Sequence, residues 1–137
     1  MNAVLVIARI LFAGLFINSG IMHIAKVETM SGYAQYKKVP AAKPAVIVSG
    51  LMILVGGLYI VLGVYADLGA LLIALFLIPT AFMMHAFWKE SDATAKQSES
   101  AGFFKDLSLA GAALIIFVLV GSGADFGPSV TSAFFNF

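Results

Sequence analysis

The chain has 137 residues, of which 61% are hydrophobic and 11% are charged, and its formal net charge is +1. This composition leaves no room for a soluble catalytic domain. The absence of cysteine excludes disulfides, thiolate ligation of metals and iron–sulfur clusters held by this chain. No cluster of basic residues with interleaved aromatics is present, so nucleic-acid binding is not indicated. We expect one membrane domain over residues 1–137.

Four apolar segments predict four transmembrane helices. They cover residues 2–22, 45–66, 68–88 and 107–124, and Arg9 is the only formally charged residue in them. A helix needs about 20 residues to cross a hydrocarbon core of about 30 Å. Helices also satisfy their own backbone hydrogen bonds in lipid. The sequence therefore predicts an all-α fold, a polytopic four-helix transmembrane bundle.

The lysines predict the orientation of this bundle. All seven lie in two gaps between the apolar segments, at residues 23–44 and 89–106. Lysine and arginine are enriched in cytoplasmic loops. We therefore expect both gaps to face the cytoplasm and both termini to face outward. A reporter fused after Phe137 should give no cytoplasmic signal, and a cytoplasmic signal would contradict this orientation.

The first gap contains a predicted amphipathic helix. Residues 28–38 place Met30, Tyr33 and Tyr36 near one side, and Lys37 and Lys38 at the end where positive charge suits the helix dipole. Such a segment either lies in the headgroup layer as an anchor, which we favour, or caps a pocket at the cytoplasmic end. The second gap predicts a solvated loop with at most a short helix. The tail after Asp125 is expected at the outer interface.

Arg9 lies about two turns into the first helix. Ionisable residues inside a membrane are rare and often functional. A structural role is favoured, either snorkelling to the outer headgroups or an ion pair with Asp67 or Asp125 on the same side. A ligand or proton role is the alternative.

The two histidines are predicted to lie at the same cytoplasmic end, because His23 ends the first helix and His85 lies in the last turn of the antiparallel third. A pocket between them can offer imidazole donors to a quinone carbonyl. Two imidazoles can also ligate haem iron or, with carboxylates, a metal. No third ligand has convincing spacing, so we predict no metal site. The other interpretation is two interfacial histidines bonded to headgroups or loop carbonyls.

Three further polar or aromatic residues are candidates for the same pocket. Asn18 and Ser19 lie in the cytoplasmic half of the first helix, where they either join helices through hydrogen bonds or line the pocket. Trp88 follows His85 by three residues, so a continuous helix would place both on one stripe.

The opening residues ARILFAGLFINSGIMHI resemble the first helix of the DoxX family of small bacterial membrane proteins. The resemblance continues through GLMILVGGLYIVLG and TAFMMHAFW and ends with FFKDLSLAGAALIIFVLVGSGADFG, over roughly residues 7–127. It implies a four-helix bundle in the bacterial inner membrane. The family includes the small subunit of an archaeal thiosulfate:quinone oxidoreductase. Another member is thought to form a membrane complex with a sulfurtransferase and a superoxide dismutase. Distant relatives include a vertebrate chaperone for acetylcholine receptors.

The resemblance also extends to single positions. Residues of the family's usual type stand at Arg9, Gly20, Gly57, His85, Lys105 and Asp125. The chain departs from the pattern at Ile53, where many members have glutamate, at Asp67, where arginine is usual, and at His23, where lysine is common. The missing glutamate weakens a proton-coupled mechanism.

We therefore expect a DoxX-like subunit, accessory to a quinone-linked respiratory or oxidative-stress redox complex. It would bind quinone or lipid and anchor a protein partner or a second copy of itself. The alternative is a non-catalytic assembly factor or scaffold. Whether the chain belongs to an enzyme stays open; we expect no independent catalysis and assign no catalytic residue. Quinone is the favoured ligand and haem is disfavoured. The expected ligand residues are His23, His85, Ser19, Asn18 and Trp88, and the expected structural charges are Arg9, Asp67, Lys105 and Asp125.

Overall fold

The computed structural model describes all 137 residues, and every regular element in it is helical. The amphipathic helix predicted between the first two spans is present. Four of the other helices are long and apolar enough to cross a membrane, so the predicted multi-pass bundle is confirmed. The elements are α1 (Asn2–Ala25), α2 (Val27–Tyr36), α3 (Ala42–Leu62), α4 (Ala66–Met84), a 3₁₀ turn (Phe87–Lys89) and α5 (Ala93–Gly121).

The four long helices share one hydrophobic core. Phe16 of α1, Ile53 of α3, Ile73 of α4 and Ala113 of α5 are all almost completely buried in it. The closest packing joins α1 to α3, α3 to α4 and α4 to α5, and α2 packs on α3. The helices α1 and α5 make little direct contact. We call the end formed by residues 23–44 and 84–106 the lysine end, and the opposite end the tail end.

Glycines let the helix backbones approach closely. A Cβ atom built on Gly56 of α3 would lie 2.7 Å from the carbonyl oxygen of Gly69 in α4, and one built on Gly69 would lie equally close to Gly56. Such contacts suit helices in lipid, where hydrophobicity alone does not drive association.

The helix α5 begins much earlier than predicted. Residues 93–106, expected to form a solvated loop, are helical and continuous with the last span. The Asp92 carboxylate caps the helix by accepting the N–H of Ala95 at 2.9 Å. Its 29 residues extend about 44 Å at 1.5 Å per residue, against a hydrocarbon core of about 30 Å. The first turns of α5 therefore extend beyond the core at the lysine end.

The chain after α5 folds back over the tail end. Its amides at Val130 and Thr131 both donate to the carbonyl oxygen of Gly63, at 3.0 and 3.1 Å. Gly63 ends α3 with a φ of 65°, a conformation that glycine adopts without strain. The tail thus satisfies a backbone group that the end of α3 leaves open.

Candidate functional site

A cavity of about 460 Å³ lies at the lysine end, among α1, α3, α4 and α5. Its size falls within the roughly 300–1,000 Å³ of typical small-molecule sites. Apolar side chains form most of its wall, including Phe16, Met52, Phe76 and Leu109. An apolar cavity inside a transmembrane bundle suits a ligand that partitions into lipid.

The cavity also reaches the outer surface of the bundle. Leu15 of α1 and Leu75 and Met83 of α4 line it, yet their side chains are 48%, 54% and 39% exposed. These residues lie within the membrane-spanning helices, where exposed side chains contact lipid. A ligand in the bilayer therefore has a lateral route into the cavity.

The helix α2 covers the cavity at the lysine end. Met30, Tyr33 and Ala34 of α2 and Val39 just after it belong to the lining. From the sequence we favour an anchor in the headgroup layer for this segment, with a cap over a pocket as the alternative. In the structure it caps one.

Lys37 fastens this cap to α5. Its ammonium donates to the Glu99 carboxylate at 3.2 Å and lies 3.7 Å from that of Glu90. Burial alone would lower the pKa of Lys37, but the hydrogen bond to Glu99 and the charges around it outweigh burial and raise the pKa. When folding raises the pKa of a lysine, the added stability is fully present at any pH below the unfolded pKa. It is lost only as pH rises through the folded pKa. The fastening therefore holds at neutral pH.

His23 lines the cavity from the buried face of α1. Its ring packs edge-on against Phe76, with the centroids 6.0 Å apart. It also lies against α3, because a Cβ atom on Gly50 would be 2.5 Å from the Cβ of His23. The Nδ1 atom is 2.7 Å from the carbonyl oxygen of Ser19. Since a carbonyl oxygen only accepts, Nδ1 carries the proton and donates. The other nitrogen, Nε2, has no protein hydrogen-bond partner.

His85 lines the opposite wall, where α4 ends. Its Nδ1 is 2.8 Å from the Glu99 carboxylate, and its Nε2 is 3.6 Å from that of Asp106. The ring lies on Gly102 of α5, since a Cβ atom there would be 2.7 Å from Nδ1. Two carboxylates and one glycine of α5 thus fix the position of the imidazole.

The structure brings together three of the five residues expected to bind a ligand. His23, His85 and Ser19 line the same cavity, whereas Asn18 and Trp88 do not. Asn18 is exposed on the far side of α1; it precedes His23 by five residues, about 140° around a helix with 3.6 residues per turn.

Trp88 lies outside the cavity because α4 ends before it. The chain leaves the α-helix at Met84, so the expected helical stripe from His85 to Trp88 does not form. Its indole is 49% exposed and packs edge-on against Phe103 at a centroid distance of 5.5 Å.

Asp106 and Glu99 are site residues that the sequence analysis did not single out. Asp106 is buried and lines the cavity beside Lys105, one of the predicted charged residues. Glu99 and Asp106 are seven residues apart, which places them on one face of a helix. A sequence signal existed: Asp92 is a good N-cap, and the residues after it favour helix. Because residues 93–106 were expected to form a loop, the helix face shared by Glu99 and Asp106 was not predicted.

Arg9 lies at the tail end, far from this cavity, and its guanidinium is bound by backbone carbonyls. Nε donates to Ile60 at 2.8 Å, NH2 to Val61 at 2.7 Å, and NH1 to Phe126 and Pro128 at 3.1 and 2.7 Å. The first two carbonyls belong to the last turn of α3, where helical partners are missing. The guanidinium carbon also lies 5.0 Å from the centre of the Phe126 ring.

The ion pair expected between Arg9 and Asp67 or Asp125 does not form. Asp67 is fully buried, and its carboxylate accepts the backbone N–H groups of Phe134 and Phe135 at 2.9 and 2.6 Å. Asp125 is exposed and accepts the N–H of Gly127 at 2.8 Å. Asp67 thus ties the tail to α4, whereas Asp125 stabilises a turn within the tail. Arg9 is buried rather than snorkelling, because α3 and the tail together supply enough acceptors.

Comparison with known proteins gives one result for this chain. A family model, described as DoxX, matches residues 4–86. The matched stretch contains nearly all of α1, all of α2 to α4 and both histidines of the cavity, whereas α5 lies outside it. No curated protein and no solved structure matches.

Proposed function

Since the chain belongs to the DoxX family of membrane proteins, we propose that it binds a membrane quinone in the cavity beneath α2. In this proposal it acts as an accessory subunit of a quinone-linked redox complex. The observation that carries the proposal is that His23 and His85, from two different helices, line a single cavity with apolar walls. Polar groups at one end and apolar walls elsewhere match a quinone, which has a polar ring and a hydrophobic tail.

The electrons in such a complex would come from another chain. This protein has no cysteine and only two histidines, so it offers few ligands for a redox centre of its own. The lysine end is the proposed partner surface, and with the positive-inside orientation it faces the cytoplasm. Its exposed ammonium groups suit an acidic partner surface and favour fast association. The exposed lysines are Lys26, Lys38, Lys43, Lys89, Lys96 and Lys105, of which Lys43 is paired with Glu28.

A second candidate function is a scaffold without a quinone. Gly14 of α1 and Gly111 of α5 are exposed, and Cβ atoms built on them would meet nothing within 4 Å. Small exposed residues let another membrane helix approach closely. An assembly factor would use such surfaces and would not need the histidines.

Native mass spectrometry of the protein purified gently from its own membranes separates the two functions. We expect the wild-type chain to retain a quinone and the His23→Ala/His85→Ala double variant to lose it. A tenfold weaker affinity corresponds to about 1.4 kcal/mol of binding free energy, and we expect at least this loss when both imidazoles are removed from the cavity wall. Asn18→Ala, on the same helix but outside the cavity, should retain the quinone. A wild-type protein that carries only phospholipid and a second chain would instead support the scaffold.

A further inference from the structure

Three polar side chains in the cavity lining already use their hydrogens in hydrogen bonds within the protein. His23 Nδ1–H donates to Ser19, the Thr80 hydroxyl donates to the Phe76 carbonyl at 2.7 Å, and the Ser49 hydroxyl donates to the Val46 carbonyl at 3.2 Å. These three side chains all line the cavity. Each of these side chains can therefore offer a ligand an oxygen or nitrogen lone pair but no hydrogen.

His23 shows this most clearly. A neutral imidazole has one donor and one acceptor nitrogen, and the hydrogen bond made by one nitrogen fixes the role of the other. In the neutral ring, with Nδ1–H bound to the Ser19 carbonyl, Nε2 is the acceptor. The expectation that His23 donates to a quinone carbonyl therefore does not fit this geometry. A carbonyl oxygen placed against Nε2 would set two acceptors facing each other.

The carboxylate of Asp106 extends the same pattern on the opposite wall. It lines the cavity, and an ionised carboxylate only accepts. His85 Nε2 lies 3.6 Å from it, which is too long for a hydrogen bond. The donors in the lining are Tyr33 and Lys105, whose residues are exposed at the lysine end, and the hydroxyl of Ser19. Acceptors thus dominate the buried part of the cavity.

From this pattern we propose that the cavity binds the reduced hydroquinone more tightly than the oxidised quinone. A hydroquinone carries two hydroxyl donors, whereas a quinone carries two carbonyl acceptors. The hydroxyl hydrogens can bond His23 Nε2 and the Asp106 carboxylate, and a bond to a charged acceptor is among the stronger ones. Leaving the same buried acceptors without a donor is costly. This inference names the redox state of the ligand, and it rests on the proposed quinone binding.

Binding the reduced form preferentially shifts the equilibrium between the two forms. A ligand site can favour one state only by its differential affinity for the two. For a two-electron couple, a tenfold preference corresponds to about 30 mV. The bound quinone would therefore have a higher midpoint potential than the free one, and the site would hold the product of a quinone-reducing partner.

The test measures the affinities of both redox forms for the full chain in lipid nanodiscs. The probes are decyl-ubiquinone and, under anaerobic conditions, decyl-ubiquinol. We expect the quinol to bind at least tenfold more tightly. His23→Gln and Asp106→Asn each add an amide donor at a position that now only accepts, so we expect the preference to fall below threefold in both. Asn18→Ala, outside the cavity, should leave it unchanged.

Each result of this experiment decides between distinct conclusions. Equal affinities, or tighter binding of the quinone, would overturn the preference for the reduced form while leaving the proposed quinone site standing. A preference that persists unchanged in both amide variants would also overturn it, because the acceptors named here would not be its source. Binding of neither form would overturn the proposed function and this inference together.

Discussion

Replacing Arg9 with leucine is expected to lower the free energy of unfolding by about 4 kcal/mol, since each buried acceptor left without a partner costs about 1–3 kcal/mol. The guanidinium donates to four backbone carbonyls, two in the last turn of α3 and two in the C-terminal tail. Leucine supplies no donor, so α3 and the tail would lose their shared connection. Reversible unfolding in mixed detergent micelles measures the change.

The matched variant is Arg9→Lys. Lysine keeps the charge, but its ammonium lacks the planar fork that reaches several acceptors at once. We expect it to recover less than half of the lost stability. Two unpaired acceptors alone would cost at least about 2 kcal/mol. If the free energy of unfolding of Arg9→Leu stays within about 1 kcal/mol of the wild-type value, then Arg9 does not hold the tail end together.

Introducing valine at Gly20 is expected to destabilise the bundle by about 3 kcal/mol, the upper part of the usual range for overpacking. A Cβ atom at Gly20 would lie 2.7 Å from the Cβ of Leu54, 2.8 Å from the carbonyl oxygen of Gly50 and 2.9 Å from the amide nitrogen of Leu54. Two of these atoms are backbone and cannot rotate away. The helices α1 and α3 would have to separate, and His23, one turn further along, would move with α1.

Gly14→Val is the control for this prediction. It makes the same substitution in the same helix, but a Cβ atom at Gly14 meets nothing within 4 Å. We expect a change within about 1 kcal/mol, as valine and glycine differ little in helix propensity. The same unfolding measurement is made on both variants. Equal losses of stability would show that the α1–α3 contact is looser than in the structure.

Much of the fold is predictable from hydropathy and charge. The four spans appear as long apolar segments, and the amphipathic α2 appears in the pattern of Met30, Tyr33 and Tyr36. Arg9, Phe16 and His23 are spaced by seven residues, which places them on one face of α1, and all three are buried. These features depend on local periodicity, which a single sequence contains.

The features that were missed depend on contacts between distant segments. The partners of Arg9 are main-chain carbonyls, which carry no residue signature, so the sequence pointed instead to aspartates. The roles of Glu99 and Asp106 followed only once α5 was known to begin at Ala93. The proton on His23 Nδ1 is fixed by a hydrogen bond within α1, and nothing in the residue type predicts which nitrogen remains free.

Photoaffinity labelling with an azido-ubiquinone tests the central claim, a quinone site in the cavity beneath α2, most directly. We predict labelled peptides from residues 15–23 of α1, 75–85 of α4 and 105–109 of α5, which contain most of the cavity wall contributed by those helices. Labelling should be displaced by decyl-ubiquinol and lost in the His23→Ala/His85→Ala variant. Labels confined to exposed faces of the bundle, unaffected by the competitor or by the histidines, would contradict the site.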